Sequence, residues 1–138
     1  MRDQIIGLLS HLNELDSGKL VSSDLKSYVD KIWANSKIIS VLKEGVLQGF
    51  ISYYENDTAN EQAFLTMIAL DPRFQGAGLG KILIQASIRD LKTKGFRHYK
   101  LKVEKSNKKA QALYESLGFK VENELGTKFL MNLDLWDV

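Results

Sequence analysis

Apolar residues recur along this chain with two different periods, and the change of period predicts where helices give way to strands. From Gln4 to Leu15, and again from Leu25 to Trp33, they return every three or four residues. This is the spacing of the single buried face of a helix. Two amphipathic helices are therefore predicted at the start of the chain. Ser22 and Ser23 are the capping candidates for the second one.

After these helices the pattern changes to short runs rich in β-branched and aromatic residues, which are typical of strands. The runs are Lys37 to Leu42, Val46 to Tyr54, Ala63 to Leu70, Tyr99 to Val103, Phe119 to Glu122 and Lys128 to Leu135. A further helical pattern, from Gly78 to Lys94, separates the third run from the fourth. A strand, a helix and a strand in that order form a right-handed crossover with two parallel strands, whereas the early hairpin at Lys43-Glu44-Gly45 requires an antiparallel pair. The sequence therefore predicts an α/β fold with a mixed sheet.

A glycine-rich segment, DPRFQGAGLGK at residues 71–81, joins the third strand run to the helix that follows it. A helix start presents backbone N–H groups without intrahelical partners, together with the positive end of the helix dipole. Both features favour an anionic group, and glycines let a ligand approach the backbone closely. We therefore expect a phosphate-binding loop. A tight strand-to-helix turn without a ligand is the alternative interpretation.

Spacing excludes two other glycine motifs at this position. The phosphate loop of nucleoside triphosphatases requires a glycine where Gln75 stands and a Ser or Thr where Ile82 stands. The dinucleotide-binding fingerprint fails because Lys81 stands where its last glycine would fall. The pattern that remains is Gln-x-x-Gly-x-Gly, at Gln75, Gly78 and Gly80.

That pattern, after a strand and before a helix, resembles the coenzyme A loop of the GNAT superfamily of N-acetyltransferases. A second match follows at residues 107–119, where an Asn opens a helix that carries Tyr114 and ends in Gly-Phe. Two motifs in the family's order are more specific than one glycine loop. The resemblance extends from about Ile38 to Leu135 and implies the GNAT fold in a single domain over residues 1–138. The family's first strand, which precedes its first helix, has no clear counterpart here.

The resemblance implies acetyl-CoA as co-substrate and assigns residues to it. Amides from Gln75 to Lys81 would hold the pyrophosphate, and the backbone of residues 68–70 would pair with the pantetheine arm. Asn107 would contact the pantetheine as well. A competing role for Asn107, which Ser106 could also fill, is to cap the helix. The implied coenzyme-binding residues are Ile68, Ala69, Leu70, Gln75, Gly76, Ala77, Gly78, Leu79, Gly80, Lys81 and Asn107. Arg73 and Lys81 either assist the phosphate or are ordinary surface charges.

Two residues are the candidates for acid and base catalysis. In the family, a Tyr at the position of Tyr114 protonates the departing coenzyme A thiolate; helical spacing alone would make it a core aromatic. In the ribosomal-protein alanine acetyltransferase branch, a Glu five residues before the Asn accepts the amine proton, and here that position is Lys102. Glu104 shares its strand face by two-residue alternation and is the nearest substitute, a solvated strand-end charge being the alternative.

Composition limits the chemistry and the location that the sequence predicts. The chain has no cysteine, which excludes a cysteinyl intermediate, and His11 and His98 lack nearby patterned ligands, so no metal site is expected. No apolar run is long enough to span a bilayer, and the residues after Met1 do not form a signal-peptide pattern. The predicted location is cytoplasmic, with no membrane partner.

The partner that fits best is a small molecule with a primary amine: an amino sugar, a polyamine, an antibiotic or a metabolite. A formal net charge of +2 gives no support for nucleic acid binding. Two alternatives stay open for the function, a protein N-terminal acetyltransferase and a catalytically silent acyl-CoA-binding or regulatory module. The sequence also leaves a homodimer open.

Overall fold

The helices and strands of the protein follow the predicted order. The computed structural model describes residues 1–15, 21 and 24–138, so the capping candidates Ser22 and Ser23 lie outside the described residues. The elements are α1 Arg2–Leu15, α2 Leu25–Asn35, β1 Lys37–Lys43, β2 Val46–Asp57, β3 Gln62–Leu70, α3 Leu79–Thr93, β4 His98–Glu104, α4 Lys108–Ser116, β5 Lys120–Leu125 and β6 Lys128–Asp134. β2 continues beyond its predicted end at Tyr54, because its backbone stays extended through polar residues that carry no apolar signal. Among the described residues, no strand precedes α1.

The strands form one mixed sheet in the order β1-β2-β3-β4-β6-β5. β3 and β4 are parallel, as the crossover through α3 predicts, whereas β6 is antiparallel to both β4 and β5. β3 pairs with β4 over Gln62–Phe64, and β4 pairs with β6 over its whole length. The predicted α/β class with a mixed sheet is confirmed.

The chain divides into two compact units, and the first comprises residues 1–52 and 67–84. It contains α1, α2, β1, most of β2, the end of β3, the glycine-rich segment and the first residues of α3. Its core consists of the apolar helix faces predicted from the sequence and apolar strand residues: Ile5, Leu8, Leu9, Val29, Ile32, Leu47, Phe50 and Ala69. Helix α1 packs on α2 through these faces.

The second unit comprises residues 53–66 and 85–138. Along β4 the residues alternate, with Tyr99, Leu101 and Val103 buried and Lys102 and Glu104 exposed. This alternation is the one that the sequence predicts for a strand with one buried face. The prediction of a single domain over the whole chain stays a prediction.

Candidate active site

In the first unit, a short turn ends β3 and turns the chain toward α3. The amide of Asp71 donates to the carbonyl of Gln48 at 2.9 Å, which ties the end of β3 to β2. The Asp71 carboxylate accepts the amide of Arg73 at 2.9 Å, and Pro72 opens a single 3-10 turn that Phe74 closes. Proline suits this position because the first residue of a helical turn has no acceptor for an N–H within the turn.

Arg73 has a partner within the turn. Its Nε and Nη2 donate to the two carboxylate oxygens of Asp71 at 3.0 and 2.9 Å, and its guanidinium lies 5.4 Å from the ring centre of Phe74. The hydrogen bonds from Arg73 hold the pKa of the Asp71 carboxyl below its ordinary value. The structure shows Arg73 in an ion pair with Asp71 at the start of the loop, and its assistance to a phosphate stays a prediction.

The glycine-rich segment then leaves a row of backbone donors unused. Gly76 and Gly78 have φ of 83° and 80°, in the left-handed region, and a Cβ at either position would meet nothing within 4 Å. The amide of Ile82 donates to the carbonyl of Gly78 at 3.1 Å, which is the first hydrogen bond of α3. The amides of residues 76–81 donate no hydrogen bond to any other described residue. The helix start is therefore open to an acceptor from outside the chain.

In the second unit, Asn107 ends the connection from β4 and caps α4. Its Oδ1 accepts the amide of Ala110 at 3.1 Å. The predicted capping role of Asn107 is therefore confirmed, while Ser106 contributes only its backbone carbonyl, which accepts from Lys108 at 3.1 Å. The cap satisfies one of the amides that a helix start leaves free.

Tyr114 is buried on α4, with 8% of its surface exposed. Its ring lies edge-on to Phe119 with the ring centres 5.9 Å apart. Its hydroxyl makes no hydrogen bond with another described residue. Burial raises the pKa of the hydroxyl above its ordinary value of 10.0, so the phenol stays protonated near neutral pH. A protonated phenol without a partner can donate to a developing anion.

Glu104 and Lys102 lie on the exposed face of β4, as two-residue alternation predicts. Glu104 stands opposite Lys128 of β6 in the strand register. The Lys102 Nζ lies 5.9 Å from the ring centre of Phe64. The exposed position gives the Glu104 carboxylate access to water, which a proton acceptor that works through water requires.

Sequence reasoning missed Gln111, which lies one turn before Tyr114 on α4. It is buried, with 8% of its surface exposed, and its Nε2 donates to the carbonyls of Glu104 and Lys105 at 2.9 and 2.8 Å. A sequence signal was present, because Gln111 stands next to Ala110 and three residues before Tyr114, on the apolar stripe of the helix. A polar residue on such a stripe indicates a buried hydrogen bond.

A second missed feature is a pair of polar contacts between α3 and the sheet, one buried and one partly buried. The hydroxyls of Ser87 and Tyr99 are 2.9 Å apart, and the Tyr53 hydroxyl donates to Asp90 at 2.6 Å. Burial raises the pKa of both tyrosines above the ordinary value. Ser87 could have been found because it falls on the helix face of its apolar neighbours, four residues before Leu91.

The described part of the chain holds no group of three or more His, Asp or Glu side chains that could bind a metal ion. Within the same residues, no helix is long and apolar enough to cross a membrane.

The predicted site residues fall in both units. Glu104, Asn107 and Tyr114 lie in the second unit. The structure places the predicted residues from Ile68 to Lys81 in the first unit.

Comparison with known proteins identifies the family. The family model "Acetyltransferase (GNAT) family" matches residues 9–119. The [Ribosomal protein bS18]-alanine N-acetyltransferase of Salmonella typhimurium is 49% identical over 59 residues, which cover 43% of this chain and 40% of that protein. A mycothiol acetyltransferase of Salinispora arenicola is 32% identical over 109 residues, which cover 75% of this chain and 36% of that protein. The chain thus spans well under half the length of these two relatives.

The fold also has solved counterparts. The PaiA N-acetyltransferase from Thermoplasma acidophilum, crystallised in complex with coenzyme A, superposes with a TM-score of 0.76 at 20% identity, covering 96% of this chain and 92% of that one. At that identity the likeness concerns the fold. The family model, by contrast, covers most of the sequence, including the glycine-rich segment and the helix of Tyr114. The chain belongs to the acetyltransferase (GNAT) family.

Proposed function

We propose that this protein transfers an acetyl group from acetyl-CoA directly to a primary amine of a small molecule. The row of free amides at residues 76–81, at the start of the 15-residue helix α3, carries this proposal. A pyrophosphate supplies the acceptor oxygens that these donors lack, and the helix dipole favours its charge. The open space beside Gly76 and Gly78 gives a phosphate room to approach. The residues present therefore fit the group.

The rest of the coenzyme would be held through backbone and amide groups. Residues 68–70 end β3, whose pairing with β4 involves Gln62–Phe64. The main chain near the end of β3 would pair with the pantetheine arm as an added strand does. Asn107 uses its Oδ1 for the cap, so its side-chain nitrogen would contact the pantetheine.

In the proposed reaction the amine nitrogen attacks the thioester carbonyl and forms a C–N bond. Strand amides stabilise the negative charge on the carbonyl oxygen. The C–S bond then breaks, and the Tyr114 hydroxyl donates its proton to the departing thiolate. No cysteine is present to form a cysteinyl intermediate, which agrees with the proposed direct transfer. Burial of Tyr114 supports this role because it keeps the phenol protonated.

The amine must lose a proton, since it is an ammonium ion near neutral pH and has no lone pair for attack. Glu104 accepts this proton, directly or through water. Its exposed position at the end of β4 gives water access to the carboxylate. Over the whole reaction the ammonium nitrogen loses two protons. The first passes to Glu104 and on to water, and the second, lost as the amide forms, replaces the proton that Tyr114 gives to the thiolate.

The choice of acceptor rests on Lys102. The resemblance to the ribosomal-protein alanine acetyltransferase branch implies a glutamate base at this position, and this chain has a lysine there instead. A small amine is therefore the first candidate. The 49% identity with the Salmonella enzyme over 59 residues favours a second candidate, the N-terminal amine of a protein.

An acceptor screen tests the proposal. The full chain is incubated with acetyl-CoA and either amino sugars, polyamines, aminoglycosides and amino acids, or a peptide with N-terminal alanine. Thiol release and the mass of each product are measured. We expect release that depends on a small amine and a product heavier by one acetyl group. Acetylation of the peptide alone would support the second candidate, and binding of acetyl-CoA without any transfer would indicate a silent module.

A further inference from the structure

The side-chain amide of Gln111 is the one polar group that joins the buried face of α4 to the end of β4 in the described structure. Its Nε2 donates to two successive carbonyls, those of Glu104 and Lys105, at 2.9 and 2.8 Å. Both hydrogens of the amide are therefore used. We infer that Gln111 is a positioning residue for Tyr114, an inference that rests on the proposed function.

The contacts around Gln111 connect a fixed part of the sheet to the helix. The amide of Lys105 donates to the carbonyl of Thr127 at 2.8 Å, in the turn between β5 and β6. The carbonyl of Glu104 also accepts the amide of Asn107 at 3.0 Å, and the amide of Gln111 itself donates to Asn107 at 3.1 Å. The connection from β4 to α4 is thus held at both ends. The Gln111 side chain spans it.

Tyr114 is coupled to this link through helix α4, which carries both residues. It follows Gln111 by three residues, so both side chains lie on one side of α4, one turn apart. Its ring packs on Phe119, while its hydroxyl has no partner among the described residues. The position of the hydroxyl therefore follows the position of the helix, which Gln111 sets.

A polar side chain buried at this position is unfavourable for stability unless its donors and acceptors are hydrogen-bonded. Gln111 satisfies its side-chain donors through the carbonyls of Glu104 and Lys105, whereas a methionine there would make no hydrogen bond. What an apolar residue cannot do is fix the distance between the helix and the end of β4. Proton transfer needs that precision, because a shift of about 1 Å can cost up to a hundredfold in rate.

A double-mutant cycle tests the inference. Gln111→Met keeps the length and volume of the side chain but removes both donors, and Tyr114→Phe removes the proton. We expect Gln111→Met to lower kcat about tenfold under chemistry-limited conditions, with the Kd for acetyl-CoA unchanged. In the Tyr114→Phe background we expect the same substitution to change kcat less than twofold. Gln85→Met, an apolar replacement of a glutamine on α3, is the matched control and should leave kcat unchanged.

Two outcomes overturn the inference. One is a wild-type kcat in folded Gln111→Met, and the other is an equal loss of kcat in both backgrounds, which is what a merely structural residue would produce. Should Gln111→Met not fold, Gln111→Asn keeps the amide while withdrawing it by one methylene, and the same cycle applies. If Tyr114→Phe alone has wild-type turnover, it is the proposed acid role that fails, which separates the two results.

Discussion

The glycine-rich segment of the first unit and the connection from β4 to α4 in the second unit use their hydrogen bonds in opposite ways. In the glycine-rich segment the amides of residues 76–81 are left without partners in the described structure, and two glycines in the left-handed region leave open space beside them. In the connection from β4 to α4, the carbonyls of Glu104 and Lys105 and the cap of Asn107 are satisfied from within the chain. A binding surface must keep its donors for the ligand. A catalytic support must be fixed before the substrate arrives.

The largest effect is expected from breaking the open region at Gly78. In Gly78→Asp a carboxylate lies at the helix start, where it repels a pyrophosphate and removes the space that the ligand needs. We expect the affinity for acetyl-CoA to fall about a thousandfold, measured by calorimetric titration. The loss of fold stability should be about 1 kcal/mol, since no atom of the protein stands in the way.

Gly126→Asp is the control for Gly78→Asp. Gly126 also has a positive φ, of 63°, with nothing within 4 Å of an added Cβ, but it lies in the turn between β5 and β6. It should show the backbone cost without the loss of affinity. Unchanged acetyl-CoA affinity in folded Gly78→Asp would contradict the role of the open amides.

Tyr114→Phe removes one hydroxyl from α4 in the second unit without disturbing the packing of the ring. The ring and its contact with Phe119 remain, and only the proton is lost. We expect kcat to fall about a hundredfold with little change in acetyl-CoA affinity. Tyr54→Phe, on β2, removes a hydroxyl elsewhere and should keep kcat. Wild-type turnover of Tyr114→Phe when chemistry limits the rate would make Tyr114 a core aromatic only.

The pH dependence of the wild type follows from the raised pKa of Tyr114. A phenol donates its proton only below its pKa, and burial moves this pKa above 10.0. Activity that depends on Tyr114 is therefore fully present at neutral pH and is lost only as the pH rises past that raised value. A kcat profile that falls between pH 7 and pH 9 and is unchanged in Tyr114→Phe would assign the fall to another group.

Glu104→Gln tests the predicted proton acceptor on the exposed face of β4. The amide keeps the shape of the side chain but cannot accept a proton. We expect kcat/KM to fall about tenfold at neutral pH. Glu122→Gln, which removes a carboxylate paired with Lys100 at 3.1 Å, is the control. If Glu104→Gln keeps the wild-type kcat/KM, the proton leaves the amine by another route.

The smallest effect is expected at the cap of α4. Asn107→Ala removes the bond to Ala110 and should lower the free energy of unfolding by about 1 kcal/mol. Asn107→Asp keeps a capping oxygen and should be close to the wild type in thermal denaturation. Equal stability of Asn107→Ala and wild type would mean that the cap does not hold the helix.

Local sequence signals were sufficient to predict those structural properties that depend on residues close together along the chain. The period of apolar residues identified α1, α2, α3 and the strands with a buried face, since one buried face is all that such a period requires. The capping role of Asn107 was foreseen because cap and amide are three residues apart. The glycine-rich segment was likewise recognisable, as spacing alone decides which backbone amides a helix start leaves free.

Properties that depend on how separate elements meet were decided only by the tertiary structure. The sequence predicted a hairpin of β5 and β6, but not that β6 lies between β4 and β5, because several strands with one apolar face could have paired with β4. It could place Ser87 on the buried face of α3 but could not name Tyr99 as its partner, because the two residues belong to different elements. The role of Gln111 also stayed hidden. Its acceptors lie six and seven residues back, within reach only because α4 leaves β4 at one particular angle.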